Sequence, residues 1–388
     1  MYPLKTQQPS TPPPTLSEVR PVQLLHVFPT FAVGGVQVRI ADVARRLGTR
    51  YAHTLIALDG RHEALDRVDP NNPWTLLPAD GLTGVKRLPA IRRALARSEA
   101  DILCTYNFGA MDWALANRLG PRWPHLHFES GFGPEEAVRP LRRRSLYRRL
   151  ALAGVDALVV PSHGLLEIAR RHRWAPSGRL RHLVNGVDLA HYTPAAPVPP
   201  LPAMAATVPT VVAVAPLRAE KRLDRLIALF ARAAADTDAR LVICGMGPCE
   251  ADLRAQAAAS GLGDRIAFAG QVADVRAALT GNSIFALTSV TEQMPNALLQ
   301  AMAMARPVVA FDAGDVARIL PQTAPAQAFG QEDAGGFEAA LSRLLKDGEL
   351  RARLGAANRA RAETAYDMTA MVAAYDRLYR NALERPSP

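Results

Sequence analysis

Two α/β units, each built on a doubly wound parallel sheet, are the architecture this sequence predicts. Length is the first reason: 388 residues exceed what one hydrophobic core usually serves. Pattern is the second, since short apolar runs alternate with stretches of helical period in two successive series. The third is the break between the series. Residues 194–209, PAAPVPPLPAMAATVP, hold six prolines in sixteen positions, which neither a helix nor a central strand accepts. Composition agrees: 49% hydrophobic residues with only 6% aromatics suit helices packed on parallel strands.

Residues 1–20 are rich in Pro, Ser and Thr, lack an apolar stretch long enough for a signal peptide, and are expected to be a disordered tail. The first unit, 21–193, opens with the apolar run 22–29, the pair Gly34 and Gly35, and a helix carrying Val36, Ile40, Val43 and Leu47 at helical spacing. Further strands are expected at 52–58, 101–106, 125–129 and 156–161. After the linker 194–209 comes a second unit, 210–367, with strands at 210–215, 240–245, 265–270, 283–288 and 307–311. Its helices are expected from about 221, from about 249 and over 296–304. From about 332 to 385 the chain reads as helices only, the last within 368–388. In such sheets a ligand lies in the crevice at the carboxyl ends of the strands.

The net charge of +10 is compatible with phosphorylated substrates, nucleic acid or an anionic surface. Only Lys5, Lys86, Lys221 and Lys346 are lysines, so the excess is arginine spread through the chain and argues for no nucleic-acid site. Cys104, Cys244 and Cys249 lack companions at zinc-site spacing; buried thiols in a reducing, cytoplasmic setting are expected, and no metal. No run of about 18 apolar residues is present to span a membrane.

Several segments carry chemistry. Gly34 and Gly35, between strand and helix, read either as a tight turn or as a place where backbone N–H groups approach a phosphate. Arg218 and Lys221, past the first strand of the second unit, can face a diphosphate together. Gly245 and Gly247 follow strand 240–245, where the backbone can come close to a base or phosphate, or simply turn. The segment 288–316 is the most specific. Glu292 sits after a strand, Met294, Pro295, Asn296 and Ala297 begin a helix, and Gln300 lies one turn inside it, so one ligand can be met across a helix N-terminus. Glu129 and Ser130, ending strand 125–129, are placed to meet a ligand in the cleft, while His125 and His127 read as buried and hydrogen-bonded. Asp236-Thr237-Asp238 mimics a metal-binding triplet but precedes its strand, at the wrong end of the sheet. Residues 139–150, RPLRRRSLYRRL, form either a solvated helix or a basic amphipathic one suited to an anionic membrane surface.

The strand-Gly-Gly-helix opening, NGVD at 185–188, LRAEKR at 217–222, GMGP at 245–248 and the Glu292–Gln300 block, in this order, resemble the retaining GT-B glycosyltransferases of family 4, also called group 1. The resemblance covers about 22–385. It implies two Rossmann-like domains facing a cleft, with the acceptor on the first, the donor on the second, and the last helix returning to the first. It also implies a metal-independent, configuration-retaining hexosyl transfer from a nucleotide-sugar, UDP- or GDP-sugar being expected, to a glycan or lipid-linked acceptor in cell-surface polysaccharide or glycolipid synthesis. The nucleotide-sugar is a co-substrate, and no cofactor is implied. The protein would be cytoplasmic or peripheral on the inner membrane face. Glu292 would hold sugar hydroxyls, Gln300 the ribose, Met294 to Ala297 phosphate and sugar, and Arg218 with Lys221 the diphosphate, with Gly34 and Gly35 opposite. The sequence departs from the family at Gln300, normally glutamate; at Pro216, normally arginine, with Arg218 substituting; at Ser130, often histidine, which leaves Glu129 or His127 for the acceptor; and at Ala305, often glycine, costing about 1 kcal/mol if the turn stays left-handed. Gln300 and Ser130 keep open a non-catalytic relative that binds a sugar nucleotide or a partner enzyme; a sugar-nucleotide epimerase shares the fold but lacks the 288–316 pattern.

Overall fold

The structure, a computed structural model, describes residues 20–384 apart from Asp80, 132–135, 137–139, Ala196 and 205–207. The expected tail therefore lies outside the described residues except for Arg20, whose guanidinium holds Asp101 with both terminal nitrogens. Among the described residues the chain forms two all-parallel sheets.

The first unit runs β1 (Val22–Phe28), α1 (Gly35–Leu47), β2 (Tyr51–Ala57), β3 (Thr75–Leu76), α2 (Leu88–Arg97), β4 (Ile102–Tyr106), α3 (Met111–Leu119), β5 (His125–Phe128), α4 (Arg142–Ala151), β6 (Ala157–Val160), α5 (His163–Arg171) and β7 (Leu180–His182). Its strand order is β3-β2-β1-β4-β5-β6-β7. β1 shows why the run is apolar throughout: Leu24 and Phe28 face a layer holding Ile40 and Val43 of α1, while Leu25 and Val27 face Ile91 of α2 and Trp113 of α3. A strand covered on both sides has no polar alternation.

The second unit runs β8 (Thr210–Val214), α6 (Leu223–Ala233), β9 (Arg240–Cys244), α7 (Glu250–Ala259), β10 (Ile266–Gly270), β11 (Ser283–Leu287), α8 (Asn296–Ala303), β12 (Val308–Phe311), α9 (Val316–Ile319), β13 (Ala328–Phe329), α10 (Ala334–Lys346) and α11 (Gly348–Ala365). Its order is β10-β9-β8-β11-β12-β13. Two residues past α8, Ala305 has a left-handed φ of 54°, so the turn usually given to glycine is kept with a side chain on it. Leu201 and Met204 of the proline-rich segment lie against Val212 and Val242 of this sheet.

The final helix, α12 (Met368–Leu383), crosses back: Met371, Tyr375 and Tyr379 are buried in the first unit's core. The crossing is pinned where it meets the outgoing strand of chain, since Val187 N donates to Tyr366 O and Met368 N to Val187 O. No helix among the described residues is long and apolar enough to cross a membrane. In each sheet the winding direction reverses once, between β1 and β4 and between β8 and β11, and a crevice opens at such a reversal.

Candidate functional site

The loops leaving β1, β8 and β11 meet at that crevice. A cavity of about 370 Å³ is lined by Gly35 and Ser130 of the first unit and by Arg218, Lys221, Glu292 and Asn296 of the second. Met294, Pro295 and Ala297 complete its floor where α8 begins.

Two loops of the second unit are clamped together before any ligand is considered. Thr288 Oγ1 donates to Lys221 O and Val290 N to Glu220 O, which sets the Lys221 ammonium 2.6 Å from Glu292 Oε1. Ser289 Oγ donates to the same oxygen at 2.7 Å, leaving Oε2 for another donor. Gly314, at φ 62°, lets the chain pass over this loop: a Cβ there would stand 2.0 Å from Glu292 O. Arg218 is exposed at the rim, with no ion pair among the described residues.

Gln300 faces a second cavity, of about 590 Å³, beside Tyr192 and the segment 271–275. Its Nε2 donates to Tyr192 Oη at 2.8 Å, so the amide oxygen remains as an acceptor. Burial pushes the Tyr192 phenol up to about 12, and it stays protonated at neutral pH. Asn296 belongs to both cavities and joins the units, its Nδ2 donating to Gly35 O at 3.3 Å. Gly34 caps α1 in extended conformation and lines neither cavity.

Three expectations are corrected: Gly34, which lies outside both cavities, Glu129, and the pair Gly245 and Gly247. Glu129 does not reach the cleft: fully buried, it accepts from Arg148 Nε at 3.0 Å and lies 3.6 Å from His127 Nε2. Strand alternation explains this, because Glu129 shares a face with His125 and His127, and only its neighbour Ser130 turns toward the cavity. Gly245 and Gly247 serve packing: a Cβ on them would lie 1.9 Å from Ala215 O and 2.5 Å from Leu217 O. They support the loop that carries Arg218 and Lys221 without lining the cavity themselves. The basic segment 139–150 is not solvated throughout, since Arg148 is fully buried, bridging Glu129 and Glu136; Arg139 lies outside the described residues. Asp236 of the decoy triplet pairs with Lys346 on the surface.

Sequence reasoning missed the contacts that cross between units and the bonds within the first unit that support them. Asn185 Nδ2 donates to Met294 O and Asn296 Oδ1, and Arg39 donates to Asn185 Oδ1 and, at 3.0 Å, to Ser130 Oγ. Arg39 was detectable as a charge on the buried stripe of α1, between Val36 and Val43. Asp315 accepts from His163 N and Gly164 N, capping α5 from the opposite unit. His163, His182 and Asp315 also have the composition of a cation site, with ligand atoms within 4.8 Å of one another.

Known families match both halves of the chain. The family described as Glycosyltransferase Family 4 matches residues 33–191, and that described as Glycosyl transferases group 1 matches 196–347. The chain is a two-domain glycosyltransferase of the GT-B fold. Its fold is that of the Anabaena HepE structure in complex with UDP and glucose, with 17% identity, TM-score 0.78, and 92% of this chain and 99% of that one covered. The sucrose-phosphate synthase of Thermosynechococcus elongatus is similar too, at 19% identity and TM-score 0.72 over 92% of this GT-B chain and 98% of its own. A curated relative, the N-acetyl-alpha-D-glucosaminyl L-malate synthase of Bacillus anthracis, is 24% identical over 170 residues, 44% of this chain and 45% of its own length. That match spans less than half of the relative.

Proposed function

We propose that the protein is a retaining glycosyltransferase that moves a hexose-like sugar from a UDP- or GDP-sugar to a glycan or lipid-linked acceptor, in cell-surface polysaccharide or glycolipid synthesis. The observation that carries this reading is the pairing of Lys221 with Glu292 in one cavity at the start of α8, between two units matched by glycosyltransferase families.

In this reading the bond between the anomeric carbon and the phosphate oxygen breaks, and the acceptor hydroxyl oxygen bonds to the same face of that carbon. The hydroxyl proton passes to the departing phosphate. Lys221, Arg218 and the N-terminus of α8 stabilise the charge that gathers on the diphosphate, in a site whose donors are already oriented. Glu292 Oε2 holds a sugar hydroxyl while positive charge develops nearby. The cavity beside Gln300 takes the nucleoside, its amide oxygen accepting from the ribose. The exposed face of α4, with Leu146 and Leu150 flanked by Arg142, Arg143 and Arg149, would rest on an anionic membrane where the acceptor is lipid-linked.

The test is transfer and hydrolysis with UDP-, GDP- and ADP-sugars, with L-malate included among the acceptors because of the relative's name. The product's anomeric configuration is read by proton NMR. A product of inverted configuration, or no turnover and no binding with any donor, overturns the reading.

A further inference from the structure

Arg39 is a buried cation without a counter-ion. Its side chain belongs to a residue only 7% exposed, and it pairs with no carboxylate among the described residues. Its two terminal nitrogens are held by neutral groups, the Asn185 amide and the Ser130 hydroxyl, and its Nε is buried without a well-formed hydrogen bond, the neutral Tyr375 hydroxyl being the other polar group beside the guanidinium. Withdrawing a guanidinium from water to neutral partners is costly, and an unmet buried donor adds to the cost. An anion brought from outside would offset both.

Position says which anion. Arg39 lines both the cavity of Glu292 and that of Gln300, as does Asn296. Asn185 ties the two together, accepting from Arg39 and donating to Asn296 Oδ1. Asn296 opens α8, whose first N–H groups have no acceptor within the helix. The seam between the cavities thus joins a buried guanidinium to a helix N-terminus, a combination that suits phosphate oxygens. Carboxylates at the rim of the larger cavity are already paired, Asp42 with Arg45 and Asp188 with Arg46.

We propose that Arg39 binds the diphosphate of the donor as a cation supplied by the first domain, facing Arg218 and Lys221 of the second. This rests on the donor reading above and adds to it a residue from the opposite domain. A diphosphate held from both sides draws the two domains together, so the charge that neutralises the leaving group also reports that the cleft is closed.

The test is calorimetric titration of the full chain with UDP, GDP and ADP and with their nucleosides, on the native protein and on Arg39→Met and Arg39→Lys. Arg39→Met should weaken the nucleoside diphosphate that binds best by about ten- to a hundredfold. The matching nucleoside should change by less than about twofold, and Arg39→Lys should restore part of the loss. A structural strut would instead lower the melting temperature and weaken both ligands alike, and that result overturns the proposal. Unchanged diphosphate affinity with a raised acceptor KM also overturns it, moving the anion to the acceptor. A native protein that binds none of the three nucleoside diphosphates fails earlier, at the donor reading itself.

Discussion

The two domains share a topology and differ in where they keep their polar groups. In the first, His26, His53, His125, His127, Glu129 and Arg148 are buried among the strands and helices of the sheet. In the second, β8, β9 and β11 are buried in an apolar core, and its lone buried charge among the described residues, Asp315, faces outward to cap α5 of the first. Its chemistry sits on the loops after the strands, at Lys221 and Glu292. One fold therefore accommodates two designs, a scaffold whose buried polar groups are neutral but for Asp315 and whose other charged groups stand at an edge, and a scaffold with charged networks running through it. All nine histidines and all four tryptophans precede residue 194, so histidine titration and tryptophan fluorescence both belong to the first domain.

The largest effect should come from the buried network. Arg148→Met leaves Glu129 and Glu136 without their shared cation and should cost about 3 to 5 kcal/mol by urea denaturation. Lys346→Ala, at the exposed pair with Asp236, should leave the urea midpoint close to native. Equal losses in the two variants would erase the contrast between domains.

Next comes the displayed charge. Glu292→Gln should lower kcat about a hundredfold, with donor affinity nearly unchanged and the melting temperature close to native. A loss confined to KM would make Glu292 a binding residue only.

Acid should then separate the domains. Burial holds His53 down to about 4 and His125 to about 3, with His26 and His127 also lowered. These rings stay neutral when folded, whereas in the unfolded chain they take protons below about pH 6.5. Their contribution is present in full above that pH and is lost as pH falls toward the folded values. Each costs about 1.4 kcal/mol per pH unit within the window. Between pH 7 and 5 the urea midpoint followed by tryptophan fluorescence should fall. His125→Asn should flatten the slope, and a pH-independent midpoint would count against the buried neutral rings.

Smaller effects probe the edges of the site. Gln300→Ala should raise the donor KM about two- to tenfold, while Gln300→Glu should remain active. On vesicles containing anionic lipid, replacing Leu146 and Leu150 with Ser should weaken low-salt binding several-fold without touching turnover on a soluble acceptor. Absence of vesicle binding by the native protein points to a soluble acceptor.

Much of this was legible in the sequence. Strands buried on both faces announce themselves as apolar runs, and β1, β8 and β11 lie within the residues expected of them. The edge strands β3, β7 and β13, of two or three residues, are too short to show a period. Lys221, Glu292 and the start of α8 converge because a parallel sheet puts all its βα loops at one end, a property of topology that residue order reveals. What order does not reveal is facing. Glu129 was placed at the right end of its strand but on the wrong side of it. Gly245 and Gly247 have the composition of a ligand loop and the role of a packing one. Contacts across the cleft, such as Asn185 with Met294, join residues 109 positions apart and leave no local trace.

The chain passes between the domains twice, and the two passages are stitched side by side where Val187 exchanges hydrogen bonds with Tyr366 and Met368. A single tether would let one lobe swivel freely about the other. Two adjacent tethers, with α12 anchored in the far lobe, act as a door hinge with two pins. They leave one easy motion, a swing about the line through the pins, and resist twist and sliding. Each swing therefore brings the same residues back opposite one another, and the lobes have no need to search for their register.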